Sequence, residues 1–333
     1  LRSYSWPVPR SGAAPTRDHA VLFYDHAAHV ADSLTDYVAE GLQRGDGVIA
    51  VLTPPQAAAL RDALAESGDD AELAAAEGRF VLLDAATTLE SFLVDGVPDA
   101  RLLTDGVGAA IKELGAGGRA VRAAGEMVAV LWAEGNLTGA LALETVWNEL
   151  ADSMGFGLLC PYPTAVLDRG HLGHIGRLCA LHTDVVAPES YASGSEPELA
   201  GDVETGVFVP APQAVGATRR FVAGAMAEWS ATRGMGLDDR LVSDACLVTS
   251  EMAANAVTHA RSAFEVDVAC SEGAVRVTVS DIGPGAAEEH RGAPLDLGGR
   301  GLAIVAEVAD RWGCDTVAGG KVVWAELTTR QLI

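Results

Sequence analysis

The chain has 333 residues, of which 49% are hydrophobic and 21% charged, and this globular balance excludes wholesale disorder and collagen-like structure. At about 100–200 residues per domain, the length predicts two domains. Asp and Glu number 46 against 23 Lys and Arg, so the net charge is −23. Such an acidic surface repels phosphate backbones and anionic lipids, which argues against nucleic acid or a membrane surface as a partner.

The hydropathy pattern and the cysteines predict a cytoplasmic protein. No run of about 20 apolar residues is present to span a bilayer, and the first residues, LRSYSWPVPRSG, lack the apolar core of a secretion signal. The five cysteines are odd in number and widely spaced, as expected for reduced thiols rather than a disulfide framework.

The first part of the chain alternates apolar strands with helical segments. Strands are predicted at 19–24, 47–52, 79–84, 119–124 and 156–160, and helices at 28–43, at 54–66 and from Thr88 onward. This order predicts an α/β domain with a doubly wound, mostly parallel sheet covered by helices on both faces. The strand 47–52 is followed by TPPQ rather than a phosphate-binding loop, so no ATP is expected in this domain.

Residues 188–210 contain Pro, Ser, Gly and acids but no Lys or Arg, and they predict an acidic linker ending in a short strand at 207–209. The predicted domains are therefore 15–187 and 211–333. The second domain shows helices at 214–233 and 238–260, with Asp238 or Asp239 as the cap, a hairpin at 264–280, a loop at 282–299, a helix at 301–309 and a hairpin at 312–327. This order predicts one antiparallel sheet with helices on one face.

The second helix carries polar residues on an otherwise apolar face. Glu251, Asn255 and His259 recur every four residues, which places them on one side of an α-helix. A carboxylate and an amide there need a polar partner, and Mg²⁺ with phosphate oxygens is suitable because Mg²⁺ prefers hard oxygen ligands. The alternative is that both side chains face solvent or cap neighbouring elements.

Two glycine-rich segments follow. Asp281 ends a strand and precedes Gly283 and Gly285, which would let the chain approach a ligand, although the same residues also suit a turn. Gly299, Arg300, Gly301 and Leu302 directly precede or open a helix, where exposed N–H groups can bind an anion. The alternative for that segment is a flexible lid hinge.

Together these three segments resemble the GHKL ATPase superfamily over residues 211–333, and their form is most similar to the RsbW-type anti-sigma factors. The resemblance implies a Bergerat-type α/β sandwich that binds ATP and Mg²⁺. It implies that Asn255 binds Mg²⁺, that Glu251 is the general base or positions water, and that Asp281 accepts a hydrogen bond from adenine. Glycines 283, 285, 299 and 301 and the N–H of Leu302 would surround the nucleotide. Arg300 would add charge at the phosphates or be an exposed lid residue.

The same resemblance implies a protein serine/threonine kinase that sequesters a sigma factor, phosphorylates an antagonist with the STAS fold, and forms a homodimer. A non-catalytic ATP-binding protein that sequesters its partner is the alternative. A histidine kinase is disfavoured because no dimerisation helices follow His174 or His182 before the linker.

Residues 19–191 resemble the MEDS (DcmR-type) sensory family. The likeness rests on HAVLFY at 19–24, GEM at 125–127, LExxWNEL at 143–150, LLCxYP at 158–163 and CxxH at 179–182. A sensory domain needs a ligand site. The residues that we predict to bind a small ligand or a metal are His19, Tyr24, Glu126, Trp132, Trp147, Cys160, Cys179 and His182. The two tryptophans also suit ordinary core packing. Open α/β sheets bind ligands at the carboxyl ends of strands, where Tyr24, Glu126 and Cys160 are expected.

The run from His171 to His182 also contains His174 and Cys179. On a helix these four side chains share a broad face, but His174 and Cys179 would be about 7.5 Å apart along the axis. One ion could not bind all four, whereas one neighbouring pair with a distant residue could form a metal or haem site. Polar groups at a domain junction are the favoured interpretation.

Overall fold

The computed structural model describes residues 18–67, 71–167, 169–188, 191, 203–233, 237–271, 274–281, 299–317 and 320–328. The chain forms two compact units. The N-terminal unit runs to Val166 and also includes Leu181–Val186, and the C-terminal unit holds Leu167–Ala180 and the chain from Ala187 onward. The predicted fold class is confirmed, because one unit contains a parallel sheet and the other an antiparallel sheet, each with helices.

The N-terminal unit is built on six parallel strands. The strands of this unit are β1 (His19–Tyr24), β2 (Gly47–Leu52), β3 (Phe80–Asp84), β4 (Leu93–Val94), β5 (Val97–Pro98), β6 (Val121–Gly125), β7 (Gly157–Pro163) and β8 (Asp184–Val186). The sheet has the order β3-β2-β6-β7-β1-β8, while β4 and β5 form a separate short hairpin. Every residue of β2 is buried, as expected for a strand covered on both faces.

Eight α-helices lie in the described part of this unit. They are α1 (Ala27–Arg44), α2 (Pro54–Ser67), α3 (Ala71–Ala76), α4 (Ala85–Glu90), α5 (Ala100–Leu103), α6 (Ala109–Leu114), α7 (Met127–Ala133) and α8 (Leu137–Met154). A π-helical turn, Thr104–Gly108, joins α5 to α6. Apolar side chains of α1, α2 and α3 form one core with alternate residues of the strands.

One helix of this unit begins three residues before its predicted start. The helix expected from Thr88 begins at Ala85, directly after β3. The side chain of Asp84, the last residue of β3, accepts a hydrogen bond from Thr87 N at 2.8 Å. Asp84 therefore ends the strand and caps the helix at the same position, so no loop is needed between them.

The C-terminal unit contains one antiparallel sheet. Its elements are α9 (Leu172–Ala180), β9 (Val203–Phe208), α10 (Pro212–Arg233), α11 (Asp239–Asn255), β10 (Phe264–Ser271), β11 (Ala274–Asp281), α12 (Gly299–Val308), β12 (Arg311–Val317) and β13 (Gly320–Thr328). The strand order is β12-β13-β11-β10-β9. Alternate residues of β11 are buried, so one face of the strand contributes to the core.

The last part of the predicted linker 188–210 forms a strand. The strand expected at 207–209 begins at Val203, and β9 pairs along its whole length with β10. Residues 203–208 therefore belong to the sheet rather than to a linker. Among the described residues, no helix is both long enough and apolar enough to cross a bilayer.

Candidate functional site

The helix α11 presents the first pair of predicted nucleotide-binding residues. The side chain of Asp238 accepts a hydrogen bond from Leu241 N at 2.7 Å and fixes where α11 begins, which settles the choice between Asp238 and Asp239. Glu251 and Asn255 lie one turn apart at its other end, and both are partly exposed. Neither polar side chain is enclosed in the core, so both are accessible to a ligand from solvent.

The N-terminal turn of α12 lies beside that pair. A Cβ atom added to Gly301 would be 2.8 Å from Glu251 Oε2 and 3.8 Å from both Asn255 Oδ1 and Nδ2. Any side chain at position 301 would therefore displace Glu251. The structure thus brings the first and third predicted segments together, with backbone N–H groups at a helix N-terminus next to a carboxylate and an amide.

The other predicted phosphate-binding residues are described to different extents. Gly299 and Arg300 lie in the first turn of α12, which begins two residues earlier than predicted. Leu302 follows in the same helix and is buried. Gly283 and Gly285 lie outside the described residues, so their predicted approach to the nucleotide stays a prediction.

Asp281 is the last residue of β11, as predicted, and its side chain is buried. It lies opposite Lys321 of β13, and Lys321 Nζ is 3.5 Å from Asp281 Oδ2. Burial raises the pKa of this carboxyl, and the neighbouring Lys321 partly offsets the increase. The sequence did not indicate this partner, because the contact depends on strand register.

The helix that carries Glu251 and Asn255 changes its geometry before His259. The α-helix ends at Asn255 and continues as a π-helical turn, Ala256–Ala260, and His259 is exposed. The placement of His259 on the face of Glu251 and Asn255 therefore stays a prediction. The turn ends at Arg261, which has a left-handed backbone with φ 49°.

In the N-terminal unit, three of the predicted ligand-site residues are brought together in the core. His19, Cys160 and His182 surround Glu144 of α8, and all four side chains are buried. Glu144 is the functional candidate that sequence reasoning missed. The sequence could have indicated Glu144, because position 144 lies on an apolar helix face with Ala140, Trp147 and Ala151. A carboxylate on such a face needs a specific partner.

The buried cluster changes the acidity of its members. Burial would raise the pKa of Glu144, but His182, His19 and Tyr162 outweigh it and lower that pKa to about 2. Burial and the adjacent Glu144 carboxylate raise the pKa of the Cys160 thiol well above its usual value. Glu144 is therefore ionised at neutral pH, in a region that excludes water.

A second polar group lies at the carboxyl ends of the strands, as the topology predicted. Glu126 follows β6 and accepts hydrogen bonds from Thr53 N at 2.8 Å and Thr53 Oγ1 at 2.9 Å. Burial raises the pKa of Glu126, and burial together with Glu126 raises the pKa of Tyr24 to about 12. Cys160 differs from this group, because it lies within β7 rather than at its end.

The remaining candidates are placed elsewhere. Trp132 packs edge-on against Tyr162, and Trp147 packs edge-on against Phe156, with ring centroids 6.1 and 6.2 Å apart. These contacts are those of ordinary core residues. Among the residues that the structure describes, Cys179 is not a member of the His/Cys/Glu cluster, and burial raises its pKa to about 12. The rings of His171 and His174 are 6.3 Å apart.

Comparison with known proteins identifies both units. Residues 18–182 match the family described as MEDS, the methanogen/methylotroph DcmR sensory domain. Residues 208–327 match the histidine kinase-like ATPase domain family. No curated protein matches the chain.

One similar solved structure is that of the RsbU and RsbW domains of Rv1364c from Mycobacterium tuberculosis, at 16% sequence identity and a TM-score of 0.29. The match covers 58% of this chain and 44% of that one, so it spans less than half of that protein's length. The two family matches cover separate parts of the chain: residues 18–182 are similar to a MEDS sensory domain, and residues 208–327 are similar to a histidine kinase-like ATPase domain.

Proposed function

We propose that the chain is a cytoplasmic signalling regulator in which the sensory domain controls an ATP-dependent serine/threonine kinase of the anti-sigma type. The observation that carries the proposal is the close approach of Gly301 in α12 to Glu251 and Asn255 in α11. It supports a site where backbone N–H groups, a carboxylate and an amide face the same ligand. The match to the histidine kinase-like ATPase family supports ATP as that ligand.

Mg²⁺ fits the residues present at this site. Asn255 Oδ1 and Glu251 Oε2 are hard oxygen donors, and both side chains are partly exposed, which suits an ion that keeps some of its water ligands. The space that a Cβ atom at position 301 would fill leaves the backbone accessible next to both groups. When bound, Mg²⁺ neutralises charge on the phosphates.

Some residues of the site would then bind the nucleotide and the metal, and one would transfer a proton. Asn255 would hold the metal, and the N–H groups of Gly301 and Leu302 would bind phosphate oxygens at the N-terminus of α12. Glu251 would accept a proton from the attacking hydroxyl or orient water. Asp281, buried and opposite Lys321, would accept a hydrogen bond from the adenine amino group.

The proposed partners follow from the likeness of the ATP-site motifs to the RsbW-type anti-sigma factors. The kinase would bind a sigma factor, transfer phosphate to Ser or Thr of a STAS-fold antagonist, and act as a homodimer. A second candidate function is a non-catalytic ATP-binding protein that only sequesters its partner. The position of Glu251 beside Gly301 favours the kinase, because that function alone requires a base at the phosphates.

The nucleotide site is tested by calorimetry of Mg²⁺–ATP binding to the full chain. We expect Asn255→Ala and Asp281→Asn each to weaken binding by about tenfold or more, equivalent to about 1.4 kcal/mol. The matched control is Glu307→Gln on the exposed side of α12, which should leave affinity unchanged. Equal affinity in all four proteins would contradict the site.

Catalysis is tested with labelled ATP and a STAS-domain protein encoded by the same genome. We expect labelled Ser or Thr on the STAS protein with the wild type, and about 100-fold slower transfer with Glu251→Gln while nucleotide binding is retained. ATP binding without transfer would favour the non-catalytic candidate. Label on a histidine of the chain itself would instead indicate a histidine kinase.

A further inference from the structure

The buried cluster of the N-terminal unit has the composition of a metal site. It consists of His19 at the start of β1, Glu144 in α8, Cys160 in β7 and His182 just before β8. Their exposed fractions are 2%, 0%, 1% and 8%. One ligand atom from each side chain lies within 4.8 Å of those of the other three.

The parallel sheet brings these distant residues together. In the register of β1 and β7, His19 pairs with Leu158 and Val21 pairs with Cys160. His19 and Cys160 therefore project from the same face, two positions apart along neighbouring strands. His182 lies on the other side of His19, because it comes two residues before Asp184 of β8, which pairs with Ala20 of β1.

Four separations between the ligand atoms are close to the edge lengths of a metal-centred tetrahedron. A zinc ion bound at 2.0–2.3 Å holds neighbouring ligand atoms about 3.3–3.8 Å apart. His19 Nε2 is 3.2 Å from Glu144 Oε2 and 3.3 Å from Cys160 Sγ. Glu144 is also 3.7 Å from Cys160 Sγ through Oε2 and 3.5 Å from His182 Nε2 through Oε1.

Neighbouring polar groups orient two of the four side chains. Asn148 Nδ2 donates to Leu181 O at 2.9 Å, which leaves Asn148 Oδ1 facing His19 Nδ1 at 3.0 Å. Because that oxygen only accepts, His19 Nδ1 donates to it, and the other ring nitrogen, Nε2, faces the cluster, where it would be the metal-binding atom. Tyr162 Oη donates to Glu144 Oε1 at 2.7 Å and fixes the carboxylate. Such outer partners orient the ligands of metal sites.

We propose that His19, Glu144, Cys160 and His182 form a tetrahedral site for a divalent transition metal, with Zn²⁺ as the best fit. Two imidazoles, a thiolate and a carboxylate suit a borderline ion rather than Mg²⁺ or Ca²⁺, which require oxygen ligands. A cation also compensates the desolvation of a carboxylate that is fully enclosed in the core. This inference is independent of the ATP site, because it concerns only the sensory domain.

The test uses the full chain without an affinity tag. Metal content is measured after purification, and the chelator-treated protein is then titrated with Zn²⁺ and with Co²⁺. We expect one equivalent per chain, and a Co²⁺ spectrum with tetrahedral d–d bands and a thiolate charge-transfer band. Cys160→Ser should abolish the charge-transfer band and weaken Zn²⁺ binding by about tenfold or more.

The matched control is Cys179→Ser, a second buried cysteine that lies outside the cluster. It should leave both the stoichiometry and the Co²⁺ spectrum unchanged. If Cys160→Ser does not fold, the charge-transfer band of the wild type and its persistence in Cys179→Ser still show a thiolate ligand other than Cys179, and a one-equivalent stoichiometry limits it to one site. Binding that Cys179→Ser abolishes, or no binding of either metal by the wild type, would overturn the proposal and leave an imidazolium–carboxylate network in the core.

Discussion

The two candidate sites of the molecule differ most in their exposure to solvent. In the N-terminal unit, His19, Glu144 and Cys160 are enclosed between two strands and a helix, and each is at most 2% exposed. In the C-terminal unit, Glu251 and Asn255 lie at the end of a helix and are partly exposed. A buried polar cluster is coupled to folding, whereas an open site exchanges its ligand without unfolding.

Because of this difference in exposure, the two glutamates Glu144 and Glu251 are expected to have different roles. Glu144 has His19, Tyr162 and His182 around it, so its carboxylate is held in place by side chains of the core. Glu251 is positioned by the close approach of Gly301 and remains accessible. We therefore expect substitutions in the first site to change stability, and substitutions in the second to change ligand affinity. Two measurements test that division, and a third tests the buried carboxylate Glu126, which lies outside both sites.

The largest effect is expected for Glu144→Ala. Removing one member of a buried charged cluster leaves its partners uncompensated, which costs about 3–5 kcal/mol. Hydrogen exchange of the backbone amides in β1 and β7 should show that the free energy of unfolding of these strands falls by that amount. Glu149→Ala, on the exposed side of the same helix, is the control and should change it by less than about 0.5 kcal/mol. A similar loss of unfolding free energy in the two variants would contradict a special contribution of the buried cluster to stability.

An intermediate effect is expected for Gly301→Ala. The added Cβ meets only the end of the Glu251 side chain, so the fold should persist while that carboxylate is displaced. We expect ATP affinity to fall about tenfold, or about 1.4 kcal/mol, in calorimetry. Gly224→Ala in α10, where a Cβ meets no atom within 4 Å, should leave affinity unchanged and stabilise the helix by up to about 1 kcal/mol. Unchanged affinity in Gly301→Ala would argue against phosphate binding there.

The smallest effect is expected for Glu126→Gln and appears only in the pH dependence. Burial raises the pKa of Glu126 in the folded state, so the unfolded state loses its proton first as the pH rises. Glu126 therefore lowers wild-type stability as the pH rises from the unfolded pKa through the folded pKa, and the loss is complete above the folded value. The amide of the variant cannot ionise, so the difference in urea unfolding free energy between variant and wild type should grow from pH 4 to pH 7. A difference that is independent of pH would exclude this contribution.

Local patterns identified most of the elements correctly. The strands His19–Tyr24 and Gly47–Leu52 coincide with their predictions, because continuous apolar runs bounded by polar or glycine residues specify buried strands. Helix ends were less reliable. The π turn after Asn255 and the capping of α4 by Asp84 both depend on hydrogen bonds that periodicity does not describe.

The buried cluster illustrates the limit of local reasoning. The run from His171 to His182 directed attention to neighbouring residues, yet the structure combines His182 with His19, Glu144 and Cys160. Residues close in sequence on a helix diverge by rotation and rise. Residues far apart can meet when strand register places them on one face, as β1 and β7 do here.

The sequence alone determined the two-domain organisation, the parallel and antiparallel sheets and the residue types of the proposed ATP site. It could do so because hydrophobic periodicity and glycine positions are local properties of the chain. Only the tertiary structure decided that Glu144 joins two histidines and a cysteine, that Asp281 faces Lys321, and that Gly301 approaches Glu251. Each of these contacts depends on strand register or helix packing, which is fixed when the whole core assembles.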